Sequence, residues 1–213
     1  MLILDCKNEG HLIKCTEIIR NGGIIVYPTD TIYGMGCDPY NKKAIEKIFE
    51  IKKRLMDKPL PILTFDIRYA EKIISLGVIG RKLADHFWPG PLTIIGNLID
   101  NKIPKILTSG KKTVGVRIPN NTDTLNLLKY CNFLAGTSAN ISNENSCITA
   151  KEVMNSKLEG YDAILIGDDN KPKDPFSVKG STIVDISTHN LQIIRHGVIK
   201  SETIYKILYQ FKS

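Results

Sequence analysis

The residues best suited to chemistry stand at positions 27–37, Tyr-Pro-Thr-Asp-Thr-Ile-Tyr-Gly-Met-Gly-Cys, directly after the apolar residues 24–26. Threonine and tyrosine hydroxyls donate and accept hydrogen bonds, and glycine lets a backbone approach a ligand closely. Because open α/β sheets bind ligands at the carboxyl ends of their strands, the segment predicts one wall of a binding site. A polar loop with turn glycines explains the same residues equally well.

A second candidate is the basic stretch at residues 52–60, Lys-Lys-Arg-Leu-Met-Asp-Lys-Pro-Leu. Lys52, Arg54 and Lys58 converge on one short loop. Such a loop would suit a triphosphate, because arginine grips phosphate oxygens bidentately and lysine acts as a point charge. The alternative is a solvated helix end, where the helix dipole favours cations.

Two further segments combine apolar strands with polar groups. Arg117 stands in the otherwise apolar residues 113–118, and a charge in such a position rarely lacks a partner. It predicts either a carboxylate-binding arginine or an edge-strand arginine paired with a surface acid. The small polar residues at 136–140 follow another apolar strand and could bind a ligand or cap a turn.

The elements that must position these residues follow from apolar periodicity. Strands are predicted at residues 2–4, 24–27, 61–65, 92–98, 113–118, 133–136, 163–166, 182–186 and 191–194. Helices are predicted at residues 12–19, 44–51, 66–76, 81–87, 122–130, 149–158 and 201–211. This alternation predicts an α/β fold, a twisted mixed open sheet with flanking helices that is antiparallel where the last strands follow short turns. Residues 1–213 are expected to form a single domain, with its most loop-like segment at residues 167–180.

Composition narrows the possible partners. The formal net charge of +7 favours polyanions such as nucleotides, pyrophosphate or RNA. Five cysteines without a C-x-x-C pair and four scattered histidines argue against a disulfide framework or a zinc site. The apolar runs are too short to span a membrane, and residues 1–7 lack a secretory signal. We therefore expect a cytoplasmic protein with no membrane partner. The common phosphate-binding and nucleophile-elbow motifs are absent.

Seven sequence blocks, in a fixed order between residues 27 and 197, resemble the YrdC family. They are P-T-D-T-x-Y-G (28–34), K-x-R followed by K-P-L (52–60), W-P-G-P-L-T (88–93), V-x-V-R-x-P (114–119), S-x-N (138–140), G-S-T (180–182) and R-x-G (195–197). The resemblance implies a YrdC-like fold and L-threonylcarbamoyladenylate synthase activity. The expected substrates are ATP, L-threonine and bicarbonate, with Mg²⁺ as cofactor, and pyrophosphate is released. A downstream complex would then transfer the threonylcarbamoyl group to a tRNA adenosine.

The resemblance also implies roles for individual residues. Lys52 and Arg54 would be catalytic. The ATP-binding residues would be Lys52, Arg54, Lys58, Thr113, Ser138, Asn140 and Arg195. The threonine-binding residues would be Thr31, Arg117 and Ser181. No protein ligand for a metal is assigned. Asp30 replaces a common glutamate and Leu63 a histidine of the long members, and the chain resembles the short members, which lack a second domain.

Other functions remain as alternatives. Some relatives with weakened motifs are better described as double-stranded RNA binders, and a basic chain could bind RNA through phosphate contacts alone. The intact K-x-R and S-x-N pair favours the enzyme, although RNA binding could accompany catalysis. A carbamoyl-transfer domain of the hydrogenase-maturation type normally belongs to a much larger chain. A purely structural domain would leave the clusters around Thr31 and Arg117 unexplained.

Overall fold

The computed structural model describes residues 1–168, 179–188 and 190–209. Within these ranges the strands are β1 (Leu2–Asp5), β2 (Ile25–Tyr27), β3 (Gly34–Cys37), β4 (Ile62–Leu63), β5 (Ile74–Ser75), β6 (Leu92–Leu98), β7 (Thr113–Arg117), β8 (Leu134–Ser138), β9 (Ala163–Ile166), β10 (Thr182–Asp185) and β11 (Gln192–Arg195). The helices are α1 (Glu9–Arg20), α2 (Lys42–Lys52), α3 (Ile67–Ile73), α4 (Gly77–Phe87), α5 (Thr122–Cys131), α6 (Ala150–Asn155) and α7 (Ser201–Tyr209).

The strands form one sheet in the order β1-β9-β2-β3-β8-β4-β7-β6-β10-β11, and β5 pairs with β6. Parallel pairing joins β1 to β9, β9 to β2, β4 to β7 and β6 to β10. The remaining pairs are antiparallel, including β10 with β11. The predicted fold class, a twisted mixed open sheet with flanking helices, is confirmed. The predicted antiparallel pairing of the last strands is also confirmed.

Two hydrophobic clusters pack on the sheet. In one cluster, Leu12 of α1 and Leu127 of α5 pack with strand residues that include Tyr27, Leu63 and Leu134. The other cluster is larger and takes side chains from the remaining helices. The helices α1 and α5 therefore lie on the same side of the sheet as the Tyr27 and Leu63 side chains.

Helix α2 delivers the basic loop to the sheet. The Asn41 side chain caps its start by accepting a hydrogen bond from the Ala44 amide at 3.1 Å. Its buried residues are Ala44, Ile45, Ile48, Phe49 and Lys52, a spacing typical of a helix stripe that faces a core. Lys53 ends the helix in the left-handed conformation, with a φ of 50°. Lys52 is thus the last residue of the buried stripe, while Lys53 is exposed.

Two short strands differ from the sequence prediction. Residues 34–37, expected to be part of a loop, form β3, and residues 74–75 leave the predicted helix 66–76 to pair as β5. Glycine weakens a strand taken alone, but here it is required. A Cβ at Gly34 would lie 2.7 Å from the Tyr27 ring, and one at Gly36 would lie 2.6 Å from the Ala135 carbonyl oxygen.

Other boundaries differ by a few residues. The predicted helix 149–158 ends at Asn155, and the predicted strand 61–65 is reduced to β4. Most of the predicted loop at 167–180, namely residues 169–178, lies outside the described residues, as do the last two positions of the predicted helix 201–211.

Candidate functional site

Backbone pairing places the central site residues on one face of the sheet. Side chains of directly paired residues share a face, as do alternate residues of one strand. Tyr27 lies level with Ser138 through β3. Leu63 pairs both with Leu134, four residues before Ser138, and with Arg117. Tyr27, Ser138 and Arg117 therefore project to the same side.

The connection between β2 and β3 folds back across this face. Three antiparallel steps separate β2 from β4, and β4 is parallel to β7, so β2 and β7 run in opposite directions. The carboxyl ends of β2 and β7 therefore point in opposite directions along the strands. Even so, Thr31, four residues beyond β2, has its Oγ1 within 3.3 Å of Arg117 at the end of β7. The site thus spreads over the sheet face between the carboxyl ends of β2 and β7, which point in opposite directions.

A cleft of about 260 Å³ opens on this face. Six of the residues predicted from the family resemblance line it: Thr31, Arg54, Arg117, Ser138, Ser181 and Arg195. Six further lining residues carry hydroxyl groups that had no assigned role: Tyr27, Thr29, Tyr33, Thr93, Thr137 and Ser146. Three of these belong to the segment 27–37. Thr93 ends the block W-P-G-P-L-T (88–93), which was the sequence signal that could have found it.

Arg117 is held on three sides in the cleft and is only 7% exposed. Its Nε donates to the Gly90 carbonyl at 3.1 Å, and its Nη1 donates to Thr31 Oγ1 at 3.3 Å. Its Nη2 donates to an Asp30 carboxylate oxygen at 2.6 Å. A guanidinium carries five N–H donors, so two have no hydrogen-bond partner among the residues that the structure describes.

The ion pair combines features of both sequence interpretations of Arg117. The arginine has an acid partner, but β7 lies between β4 and β6 and is no edge strand. The side chains of Arg117 and Asp30 are 9% and 12% exposed, so the partner is not a surface acid. Asp30 both offsets the charge of Arg117 and fixes the plane of its guanidinium. The remaining donors are thereby oriented before any ligand arrives.

Arg195 and Ser181 form the opposite wall. Arg195 donates from Nε and Nη2 to the Ser181 carbonyl at 3.0 and 2.7 Å, and from Nη2 to Ser181 Oγ at 3.0 Å. The Ser181 hydroxyl also lies 2.8 Å from Thr93 Oγ1. Burial lowers the pKa of Arg195, and the nearby charges of Arg117 and Arg54 act in the same direction. Arg54, Arg117 and Arg195 all line the same cleft.

Arg54 and Lys58 occupy the loop after α2 differently. Arg54 lines the cleft and donates to the carbonyls of Lys58 and Pro59, both at 3.2 Å. Burial lowers the pKa of Arg54. The Lys58 side chain is exposed and is not among the described residues that line the cleft. Lys58 therefore positions Arg54 through its backbone, and the role predicted for its ammonium in ATP binding stays a prediction.

Lys52 lies behind the cleft instead of lining it. Lys52 is only 1% exposed. Its Nζ donates to the carbonyls of Ser138 and Asn140, each at 2.5 Å. The Lys52 carbonyl in turn accepts from the Ser142 amide at 2.9 Å. Lys52 thus clamps residues 138–142, and in this arrangement its ammonium does not face the cleft.

The surroundings of Lys52 predict a pH-dependent stability. Burial lowers its pKa from 10.5 to about 7, aided by the charge of Arg54, although the two carbonyl contacts favour the charged form. Between pH 7 and 10.5 the unfolded chain holds the Lys52 proton more tightly than the folded chain. The free energy of unfolding should therefore rise with pH in this window, by at most about 1.4 kcal/mol per pH unit. Urea unfolding at pH 7 to 9 gives the free energy of unfolding of wild type and of Lys52→Met. The difference between the two free energies isolates the Lys52 contribution, because other titrating groups cancel. A difference that does not change with pH would contradict the predicted pH dependence.

The other two predicted nucleotide contacts lie outside the cleft lining. Asn140 is 7% exposed and donates to the carbonyls of Ile141 and Glu144, at 2.9 and 2.7 Å, so it shapes the turn after Ser138. Thr113 begins β7, where it pairs with Asn97. Four residues of strand separate it from Arg117, a distance of about 13 Å. The structure does not bring Thr113 to the site.

The charge of the site is positive throughout its described part. Arg54, Arg117, Arg195 and Lys179 line the cleft, and no carboxylate is among the described lining residues. The described residues contain no cluster of three or more histidine, cysteine or acidic side chains that could hold a metal ion. No helix in the described ranges is long and apolar enough to cross a membrane.

A mixed β-sheet carries three guanidinium groups and a row of hydroxyls on the face where α1 and α5 also pack, and this cleft suits small anionic ligands. The chain belongs to the Sua5/YciO/YrdC family, whose model, described as "Telomere recombination", matches residues 17–197.

Individual relatives support this assignment along most of the chain. The sequence is 38% identical over 198 residues, and 90% of each chain, to a Methanocaldococcus jannaschii protein provisionally named threonylcarbamoyl-AMP synthase. It is 30% identical over 91% of its length to the threonylcarbamoyl-AMP synthase of Pyrococcus abyssi, of which it spans 56%. The crystal structure of P. abyssi Sua5 complexed with L-threonine superposes with a TM-score of 0.90 at 28% identity, covering 98% of this chain and 61% of that one.

Proposed function

We propose that the protein is a threonylcarbamoyl-AMP synthase, which converts L-threonine, bicarbonate and ATP into threonylcarbamoyl-AMP and pyrophosphate. One observation carries the proposal: Arg117 is oriented by Asp30 and Thr31, keeps two N–H donors without a partner among the described residues, and shares a cleft with Arg54 and Arg195. This arrangement suits a ligand with a carboxylate at one end and phosphates at the other. Relatives along most of the chain carry the same activity in their names.

The chemistry needs no nucleophile from the protein. The threonine amine attacks the carbon of bicarbonate, and water leaves to give a carbamate. A carbamate oxygen then attacks the α-phosphorus of ATP, the bond to the bridging oxygen breaks, and pyrophosphate leaves. Catalysis then consists mainly of positioning and of stabilising charge on the phosphates. The cleft supplies both through side chains that are already fixed by hydrogen bonds.

The residues divide between the two ends of this ligand. Arg117, with Thr31 and Ser181, would bind the threonine moiety. Arg54 and Arg195 would contact the phosphates, and Ser138 would contact the nucleotide. Lys52 and Asn140 act behind the cleft by holding the turn that carries Ser138. In this division Arg54 is the catalytic group, and Lys52 is a positioning residue.

The residues present fit Mg²⁺ only as a partner of the substrate. Mg²⁺ is usually held by one or two carboxylates together with substrate phosphates, and no described residue that lines the cleft has a carboxylate. The ion would enter on the triphosphate, where it neutralises developing charge. Among the predicted residues, the Ser138 hydroxyl lines the cleft and could help to orient this part of the ligand.

The proposed product, a reactive adenylate, requires a second protein that uses it. The adenylate is a mixed anhydride, so it would pass to a downstream tRNA threonylcarbamoyl-transferase complex before water hydrolyses it. The positive cleft could also contact RNA phosphates. Direct RNA binding without catalysis is the competing function, and an assay of pyrophosphate release distinguishes it from the synthase.

Pyrophosphate release tests the proposal. The protein is incubated with ATP and Mg²⁺, alone, with L-threonine, with bicarbonate, and with both. We expect release only when both co-substrates are present. Release that ignores either co-substrate, or no release together with salt-sensitive binding to duplex RNA, would overturn the proposed function. The bicarbonate-free arm requires buffers purged of carbon dioxide.

A further inference from the structure

One buried polar group in the cleft has no assigned role. The Tyr27 side chain is 1% exposed yet lines the cleft. Among the described residues its hydroxyl forms no hydrogen bond, so this hydroxyl can meet a ligand in the cleft. The other buried tyrosine of the cleft, Tyr33, accepts from the Gly167 amide at 3.3 Å.

Three glycines on two neighbouring strands make room for the Tyr27 ring. A Cβ at Gly34 would lie 2.7 Å from ring carbons and 2.9 Å from the hydroxyl oxygen, and one at Gly36 would lie 3.1 Å from the ring. At Gly136 the first atom that a Cβ would meet is the hydroxyl oxygen itself. The ring thus lies across β3 and β8, and its hydroxyl reaches Gly136, which also lines the cleft.

The surroundings of the hydroxyl select its chemistry. Burial raises the pKa of Tyr27 above the ordinary value for tyrosine, and Arg117 is close enough for its charge to oppose this effect. The phenol therefore keeps its proton and can donate. The cationic groups beside it and the absence of a carboxylate in the described lining favour an oxyanion as the acceptor.

We propose that the Tyr27 hydroxyl donates a hydrogen bond to a carboxylate-type oxygen of the ligand held at Arg117. This inference rests on the proposed function for the identity of that ligand. The oxygen belongs either to the carboxyl group of the amino acid or to the carbamate formed on its amine. The carboxyl group and the carbamate each offer an anionic oxygen as the acceptor. Only the carbamate requires bicarbonate for its formation.

The variant Tyr27→Phe removes the hydroxyl and keeps the ring that fills the glycine trough. The lost hydrogen bond runs to an anionic oxygen, so its removal should weaken the affected step roughly 10- to 150-fold. A raised Kd for L-threonine, measured by calorimetry without ATP or bicarbonate, assigns the contact to the amino-acid carboxyl group. An unchanged Kd with a raised KM for bicarbonate assigns it to the carbamate. Tyr40→Phe is the matched control, since its hydroxyl binds Asp100 at 2.8 Å outside the cleft.

A spectroscopic measurement keeps this inference separable from the proposed function. In protein labelled with ¹³C at tyrosine Cζ, the Tyr27 signal is the one that disappears in Tyr27→Phe. We expect it to shift on addition of L-threonine, or of L-threonine with bicarbonate, even if no pyrophosphate is released. A signal that shifts with neither addition would overturn the inference, whatever the activity assay shows.

Discussion

Arg117→Met should lower the affinity for L-threonine at least about 100-fold, because it removes two charge-assisted hydrogen bonds worth about 1.5 kcal/mol or more each. The same change leaves Asp30, now without its arginine, in a site where its side chain is only 12% exposed. Breaking one side of a buried ion pair costs about 3 kcal/mol or more in stability. Calorimetry with L-threonine and urea unfolding measure the two losses independently.

Two companion variants separate recognition from folding. Asp30→Asn breaks the same ion pair but keeps the guanidinium, so it should destabilise the fold while retaining threonine binding better than Arg117→Met. Arg117→Lys keeps a charge but loses the planar fork that meets Asp30, Thr31 and Gly90. Equal threonine affinity in wild type and a folded Arg117→Met would contradict the assigned role.

Arg54→Ala should lower kcat on the order of 100- to 1000-fold, the cost of removing one group that stabilises charge in a transition state. Arg54 lies in the cleft with its guanidinium fixed by the carbonyls of Lys58 and Pro59. Its removal should leave threonine affinity nearly unchanged, because Arg117 and Thr31 hold the other end of the ligand. Steady-state pyrophosphate release at saturating co-substrates gives kcat directly.

The matched control for Arg54→Ala is Arg68→Ala. Arg68 is an exposed guanidinium that pairs with Asp66 at 2.8 Å outside the cleft. The Arg68→Ala variant tests whether removing one positive charge lowers kcat regardless of its position. If Arg54→Ala turns over at the wild-type rate, Arg54 has no part in charge stabilisation, and the catalytic assignment fails.

The fold was largely predictable because most elements have clear apolar periodicity. The strands β6 and β9 match their predicted bounds in full, and the helical stripe of α2 was visible in the sequence. The strand β3 was missed because its two glycines are selected by contacts with Tyr27 and Ala135, which are distant in sequence or across a turn. Strand propensity cannot reveal such a requirement.

Six of the residues named from the sequence line the candidate cleft, but their geometry was not predictable. The sequence could have indicated that Lys52 is buried, since it stands four residues after Ile48 on the stripe of α2. Its partners Ser138 and Asn140 lie far along the chain and required the fold. The fold also explains why Thr113 and Arg117 separate: they are at opposite ends of one strand, only one of which borders the cleft.

The most direct test of the proposed activity is the composition of its product. The protein is incubated with ATP, Mg²⁺, L-threonine and ¹³C-bicarbonate, and the nucleotide products are analysed at once by mass spectrometry. The account predicts a single adenylate that contains AMP, threonine and one labelled carbon, and whose formation matches the pyrophosphate released. A product of threonine and AMP without the labelled carbon, or AMP and pyrophosphate alone with no adenylate at any time point, would contradict it.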